Sequence, residues 1–169
     1  RAMQHLSAAN FLYGNHGWSL DVLARQPIWD MNKDFQCGTG HGFGYLGSIH
    51  EPPTGFRWYI VPSKNEHHQF EPGMVITDEP GIYIEGSHGV RLENELLVRE
   101  GEKNEYGEFL YFETITYVPF DLDAINPDIM NAEDKERLNT YHATVYEKVS
   151  PYLNDEKKEW LKKYTRAIQ

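Results

Sequence analysis

Cysteine is almost absent from this chain: Cys37 is the only one among 169 residues. An internal disulfide and a multi-cysteine zinc site are therefore excluded, and a reducing, cytoplasmic setting is favoured. Apolar runs are short, and none approaches the roughly 20 residues that a membrane-spanning helix needs. No charged-then-apolar leader opens the chain either, so a membrane protein is not expected. Basic residues are scarce, with 16 Lys and Arg against 26 Asp and Glu and a formal charge of -10. Phosphates would be repelled, which argues against nucleic acid and anionic lipid as partners and leaves cations as suitable ones.

What is present suits one globular domain. The hydrophobic fraction of 40% is ordinary, and a chain of this length buries about 70% of its extended surface on folding. The chain opens Arg1-Ala2-Met3, without an initiator methionine, as expected of a processed or truncated product. Met3 to Tyr13 has near-helical apolar spacing, with Gly14 as the stop. Ser19 is a good cap for a second helix through Leu20, Leu23 and Ile28. Pro27 sits awkwardly near its end, and Asp30-Met31-Asn32 reads as the exit.

The middle changes character. Gly38 to Gly44 is too rich in glycine for a helix interior. Met74–Ile84 and Val90–Val98 are rich in strand formers and flank Glu85-Gly86-Ser87-His88-Gly89, a hairpin signal. Arg99–Glu108 reads as a charged turn and Phe109–Val118 as another strand. In the last third, Asn131 caps a predicted helix ending near Pro151, and Asn154 caps a final short one. Helices, then strands, then helices predict an α+β fold, an antiparallel sheet with packed helices.

The hairpin brings chemistry together. A turn near Gly86–Gly89 places Glu79 across the ladder from Glu93, and two facing carboxylates repel unless a cation lies between them. A divalent metal resolves that conflict; a solvated acidic sheet face is the plainer alternative. Arg91 shares the face of Glu93 under regular pleating, whereas Asp78 and Asn94 alternate to the other. His41, flanked by glycines, is an unobstructed imidazole, and His50 follows after a short apolar stretch. Trp58 and Tyr59 suit either a subsite wall or core anchors. His67 and His68 read as an exposed turn over Lys64–His68, and His5, His16, His88 and His142 as surface or packing residues.

Gly38-Thr39-Gly40-His41-Gly42-Phe43-Gly44, Ile49-His50-Glu51, Thr77-Asp78-Glu79-Pro80-Gly81 and Arg91-Leu92-Glu93-Asn94 occur in that order. Together they resemble the downstream catalytic motifs of the pita-bread metallopeptidases, family M24. Phe112 to Asp121 and the tail from Leu138 to Leu161 resemble the cytosolic Xaa-Pro aminopeptidase, or aminopeptidase P, type. The resemblance implies part of a pita-bread domain, with residues 1–169 as its C-terminal portion. It implies removal of an N-terminal residue from peptides with proline second, by two divalent ions, manganese first and zinc or cobalt next. It assigns His41, Glu79 and Glu93 as metal ligands, Glu79 and His50 as catalytic groups, and His41, His50 and Arg91 to the substrate side.

Two departures qualify that assignment. The family also uses two aspartates and a further histidine from upstream strands, and Asp21, Asp30 and Asp34 do not supply them. The chain alone is thus expected to bind metal weakly and to be inactive or weakly active, the full-length parent being the enzyme and a homodimer. Cys37 occupies a position where many members have a histidine. The competing expectation is a non-catalytic pita-bread-like module that binds proteins.

Overall fold

Strand-forming side chains, most of them in the middle third, assemble an antiparallel sheet whose two faces have opposite chemistry. The computed structural model describes residues 1–64 and 66–169. Asn65, inside the turn expected over Lys64–His68, lies outside the described residues. The chain divides into two units, Arg1–Thr116 and Tyr117–Gln169.

In the first unit, helix α1 (Ala2–Ser7) stops early and strand β1 (Asn10–Leu12) follows, where one longer helix was expected. The reason is pairing: Phe11 stands opposite Leu110 on β8 (Gly107–Thr114), and the ladder outcompetes another helical turn. Helix α2 runs Gly17–Trp29 with His16, not Ser19, at its cap, and ends one residue before the expected Asp30. Pro27 is tolerated inside it because the helix finishes two residues later.

Strands β2 (Gly40–Phe43), β3 (His50–Phe56), β4 (Val75–Asp78) and β7 (Asn94–Asn104) join β1 and β8 in a six-stranded sheet ordered β1-β8-β7-β4-β2-β3. Strands β5 (Gly81–Ile84) and β6 (His88–Arg91) form a separate pair. The stretch expected as a charged turn is instead mostly strand: β7 continues to Asn104 and β8 begins at Gly107. Exposed strands need no apolar alternation, so their polar residues conceal the pairing.

Parity separates the two faces. Ile76, Leu96, Val98, Leu110 and Phe112 point to the helices and pack with Leu6, Leu20 and Ala24. Phe11, Phe56, Phe70 and Phe112 form an aromatic cluster there, with ring centroids 4.9 to 5.6 Å apart. Burying these side chains stabilises the sheet by about 1.5–3 kcal/mol each. Alternate residues of β4 and β7, among them Thr77 and Glu95, face away from the helices and build the site.

The second unit follows the sequence reading closely. Asn131 caps α3 (Ala132–Val149) through the Asp134 amide at 2.8 Å, and Asn154 caps α4 (Asp155–Tyr164) through the Lys157 amide at 3.0 Å. His142 is a packing residue: it is fully buried, and its Nε2 accepts the Phe120 amide at 3.0 Å.

Candidate active site

The site begins with an interrupted hairpin. β4 pairs with β7 from Val75↔Leu97 to Asp78↔Asn94, and β5 pairs with β6 from Gly81↔Arg91 to Ile84↔His88. Both ladders keep one register, so continuing it sets Glu79 opposite Glu93. The interruption falls where Pro80 has no N–H to give to a ladder. Freed from the hairpin, the Glu79 amide donates instead to Thr39 O at 2.7 Å, tying this corner to the start of β2.

Strand β2 carries His41 against that corner. Gly40 is required there: a Cβ would lie 1.9 Å from Thr77 O. The ladder of β2 with β3 shifts between His41 and Gly42, where β3 carries the extra residues Pro52, Pro53 and Thr54. That bulge sets His50 beside His41, with ring centroids 4.2 Å apart.

His41 Nε2 lies 2.9 Å from Glu79 Oε1, and both side chains are about nine-tenths buried. Thr77 Oγ1 donates to the same Glu79 oxygen at 3.0 Å and accepts the His41 amide at 3.0 Å. Arg91 Nη1 stands 3.3 Å from Glu79 Oε2. His41 Nδ1 donates to Gly42 O at 2.9 Å, which directs Nε2 at the site face.

These contacts polarise the pair. The hydrogen bond to Glu79 holds the His41 imidazole above its ordinary value, against the opposing effect of burial. Burial pushes Glu79 up, but hydrogen bonds from His41 and Thr77 outweigh it and leave the carboxyl below the usual range. Burial, then the charge of Glu79, raises Glu93, and burial followed by Glu93 raises Glu95. Asp78, on the opposite face as parity predicted, is fully buried with neither oxygen hydrogen-bonded among the described residues. Burial drives its carboxyl well above the usual range.

The sequence-assigned residues are therefore partly assembled. His41, Glu79 and Arg91 are in direct contact, His50 adjoins His41, and Glu93 is placed opposite Glu79 by register. Thr77 and Glu95 were missed, although both share the parity of Glu79 and Glu93. Cys37 is half-buried, with its thiol 3.5 Å from Gly81 O, and Trp58 and Tyr59 are exposed.

The donor types suit divalent ions. Two ligands at right angles on an ion about 2.1 Å away stand about 3 Å apart, close to the spacing at which His41 and Glu79 share a hydrogen bond. The set is nevertheless open: among the described residues, no three His, Cys, Asp or Glu side chains are grouped to hold an ion.

A model of metallopeptidase family M24 matches residues 1–100, and one of the C-terminal region of peptidase M24 matches residues 108–168. The chain belongs to metallopeptidase family M24. Among M24 relatives it is 39% identical over 168 residues to aminopeptidase P1 of Arabidopsis thaliana, covering 96% of this chain and 25% of that protein. It is 38% identical over 169 residues to a probable Xaa-Pro aminopeptidase P of Talaromyces marneffei, covering 97% and 25%. The structure of the X-prolyl aminopeptidase from Caenorhabditis elegans, described as a cytosolic enzyme with a di-nuclear active site, superposes with a TM-score of 0.85. Identity to it is 30%, covering 99% of this chain and 27% of that one. The expected α+β pita-bread architecture is borne out. The chain spans about a quarter of the length of the curated relatives it matches.

Proposed function

We propose that these 169 residues form the C-terminal part of a pita-bread catalytic domain and carry one side of a two-metal aminopeptidase site. The reaction proposed for the assembled enzyme is hydrolysis of the bond between an N-terminal residue and a following proline. The observation that carries this reading is the 2.9 Å pair of His41 Nε2 and Glu79 Oε1, on the face that holds Glu93 and His50. Membership of family M24 and likeness to Xaa-Pro aminopeptidases support this choice of substrate class.

In this reading His41, Glu79 and Glu93 would hold divalent ions, manganese before zinc or cobalt. Such ions supply Lewis-acid polarisation of the scissile carbonyl and acidify water. By resemblance, the two remaining ligands, both aspartates, and a further histidine of the site are not among the residues gathered here. Glu79 is the proton-handling group, held by the Thr77 hydroxyl at Oε1 and by Arg91 beside Oε2. His50 stands exposed at the start of β3, placed to donate to the oxyanion as the carbonyl is attacked. Arg91 neutralises the excess of carboxylates on the substrate side. A cytoplasmic homodimer is the form proposed for the whole enzyme.

The open ligand set favours one competing reading, a non-catalytic module for protein binding. Calorimetric titration with manganese, beside a double variant His41→Ala and Glu93→Ala, separates the two. Binding that the double variant abolishes, together with cleavage of an X-Pro peptide by the full-length enzyme, is expected. Binding no better than the double variant, with no cleavage by the full-length protein, would overturn the enzymatic reading.

A further inference from the structure

We propose that Asp21, Arg25 and Thr39 form a positioning relay that sets where Glu79 stands relative to His41. The inference rests on the reading of His41 and Glu79 as the functional pair. Its starting point is an arrangement that stability alone does not explain. Asp21 and Arg25, one turn apart on α2, are a buried ion pair at 2.6 Å with side-chain exposures of 0% and 1%. Taking two charges out of water costs several kcal/mol per ion, so such pairs are weak contributors to stability.

The remaining donors and acceptors of the pair all serve the chain leading into β2. Arg25 Nη1 donates to Asp34 Oδ1 at 2.8 Å and to Phe35 O at 2.7 Å, and Nη2 reaches Cys37 O at 3.5 Å. The guanidinium also lies over the Phe35 ring, 4.0 Å from its centre. The second oxygen of Asp21 accepts the buried Thr39 hydroxyl. One turn of helix thus holds residues 34, 35, 37 and 39, a stretch with no regular secondary structure of its own.

Thr39 passes that position on. Its amide donates to Phe56 O at 3.0 Å, and its carbonyl accepts the Glu79 amide at 2.7 Å. His41 is two residues further along, and the close approach of Gly40 to Thr77 O leaves little slack between β2 and β4. A shift of Thr39 therefore moves the backbone of Glu79 and the strand of His41 together. Planar, multidentate donation is what arginine provides and lysine does not.

The test compares four variants of the chain by backbone amide NMR and by manganese affinity from water-proton relaxation. Thr39→Val removes the hydroxyl, Thr39→Ser retains it, and Arg25→Lys keeps the charge but loses the fork. Thr54→Val is the control: Thr54 is an equally buried strand residue whose hydroxyl goes to His68 O at 3.2 Å, away from the relay. Thr39→Val and Arg25→Lys are expected to displace the Glu79 amide resonance and weaken manganese binding about tenfold, while Thr39→Ser and Thr54→Val stay within about twofold. An unmoved Glu79 resonance in Thr39→Val, or an equal loss in Thr54→Val, would overturn the relay. If Thr39→Val does not fold, Arg25→Lys decides by the same two readouts. Should the unmodified chain bind no manganese, the metal reading is weakened and the Glu79 resonance alone decides the relay.

Discussion

His41 and Glu79 titrate in opposite senses, and together they set a pH window. The imidazole is held above its ordinary 6.5, so its contribution is complete below that value and is lost as pH rises through the folded one. The carboxyl is held below its ordinary 4.5, so its contribution is complete above that value and is lost as pH falls through the folded one. The pair is strongest between those two values. Glu93, Glu95 and Asp78 are all raised, and they too withdraw stability as pH rises. The unfolding midpoint is therefore expected to fall from pH 6 to pH 8, while manganese affinity rises over the same range because the imidazole must shed its proton to bind. Parallel slopes in thermal melts and calorimetry would contradict this. In Glu79→Gln the His41 ring loses the main cause of its shift, and its proton NMR titration should move down towards 6.5. Arg91→Ala breaks a half-exposed ion pair, so urea unfolding should show a loss of no more than about 1 kcal/mol. At this scale the sequence was legible where a residue type is rare in its setting, as with a histidine between glycines. Thr77 was not legible, because threonine is an ordinary strand former and only its parity with Glu79 distinguishes it.

The element that decides the site is the hairpin broken at Pro80. The facing of Glu79 and Glu93 could be read in advance from a turn near Gly86 and the two-residue alternation, although His88 and Gly89, expected in the turn, belong to the strand. The place of β2 beside it could not. That depends on a bulge at Pro52 and Pro53 and on a backbone contact admitted only by Gly40. The length of β7 and β8 was equally hidden, since their outer residues are charged and carry no strand period. The same contact gives a direct prediction. Gly40→Ala places a methyl group on the Thr77 carbonyl, and backbone cannot yield as a flexible side chain does. A loss of about 3 kcal/mol in urea unfolding is expected, at the upper end of overpacking effects. The amides of His41 and Glu79 should shift with it. A loss below about 1 kcal/mol would mean that β2 moves freely against β4, contrary to the packing described.

Over the whole molecule, the question is what the exposed apolar side chains do when the chain is free in solution. Two routes to self-association compete with one opposing force. The first route is edge-to-edge strand pairing, and the sheet guards against it: β1 has three residues, and β3 carries Pro52 and Pro53. The second route is apolar contact, and here the surface is open. Tyr45 is 100% exposed and Leu46 87%, with Phe43 and Ile49 beside them in sequence and also exposed. The opposing force is the formal charge of -10, which keeps copies apart at low ionic strength and is screened within about 10 Å at 0.1 M salt. Association is therefore expected to be concentration-dependent and promoted by salt. Static light scattering across a salt series checks this, with the double substitution Tyr45→Ser and Leu46→Ser returning the chain to a monomer. If added salt instead dissociates the oligomer, the contact is ionic, and the apolar loop between β2 and β3 is not the surface that joins the copies.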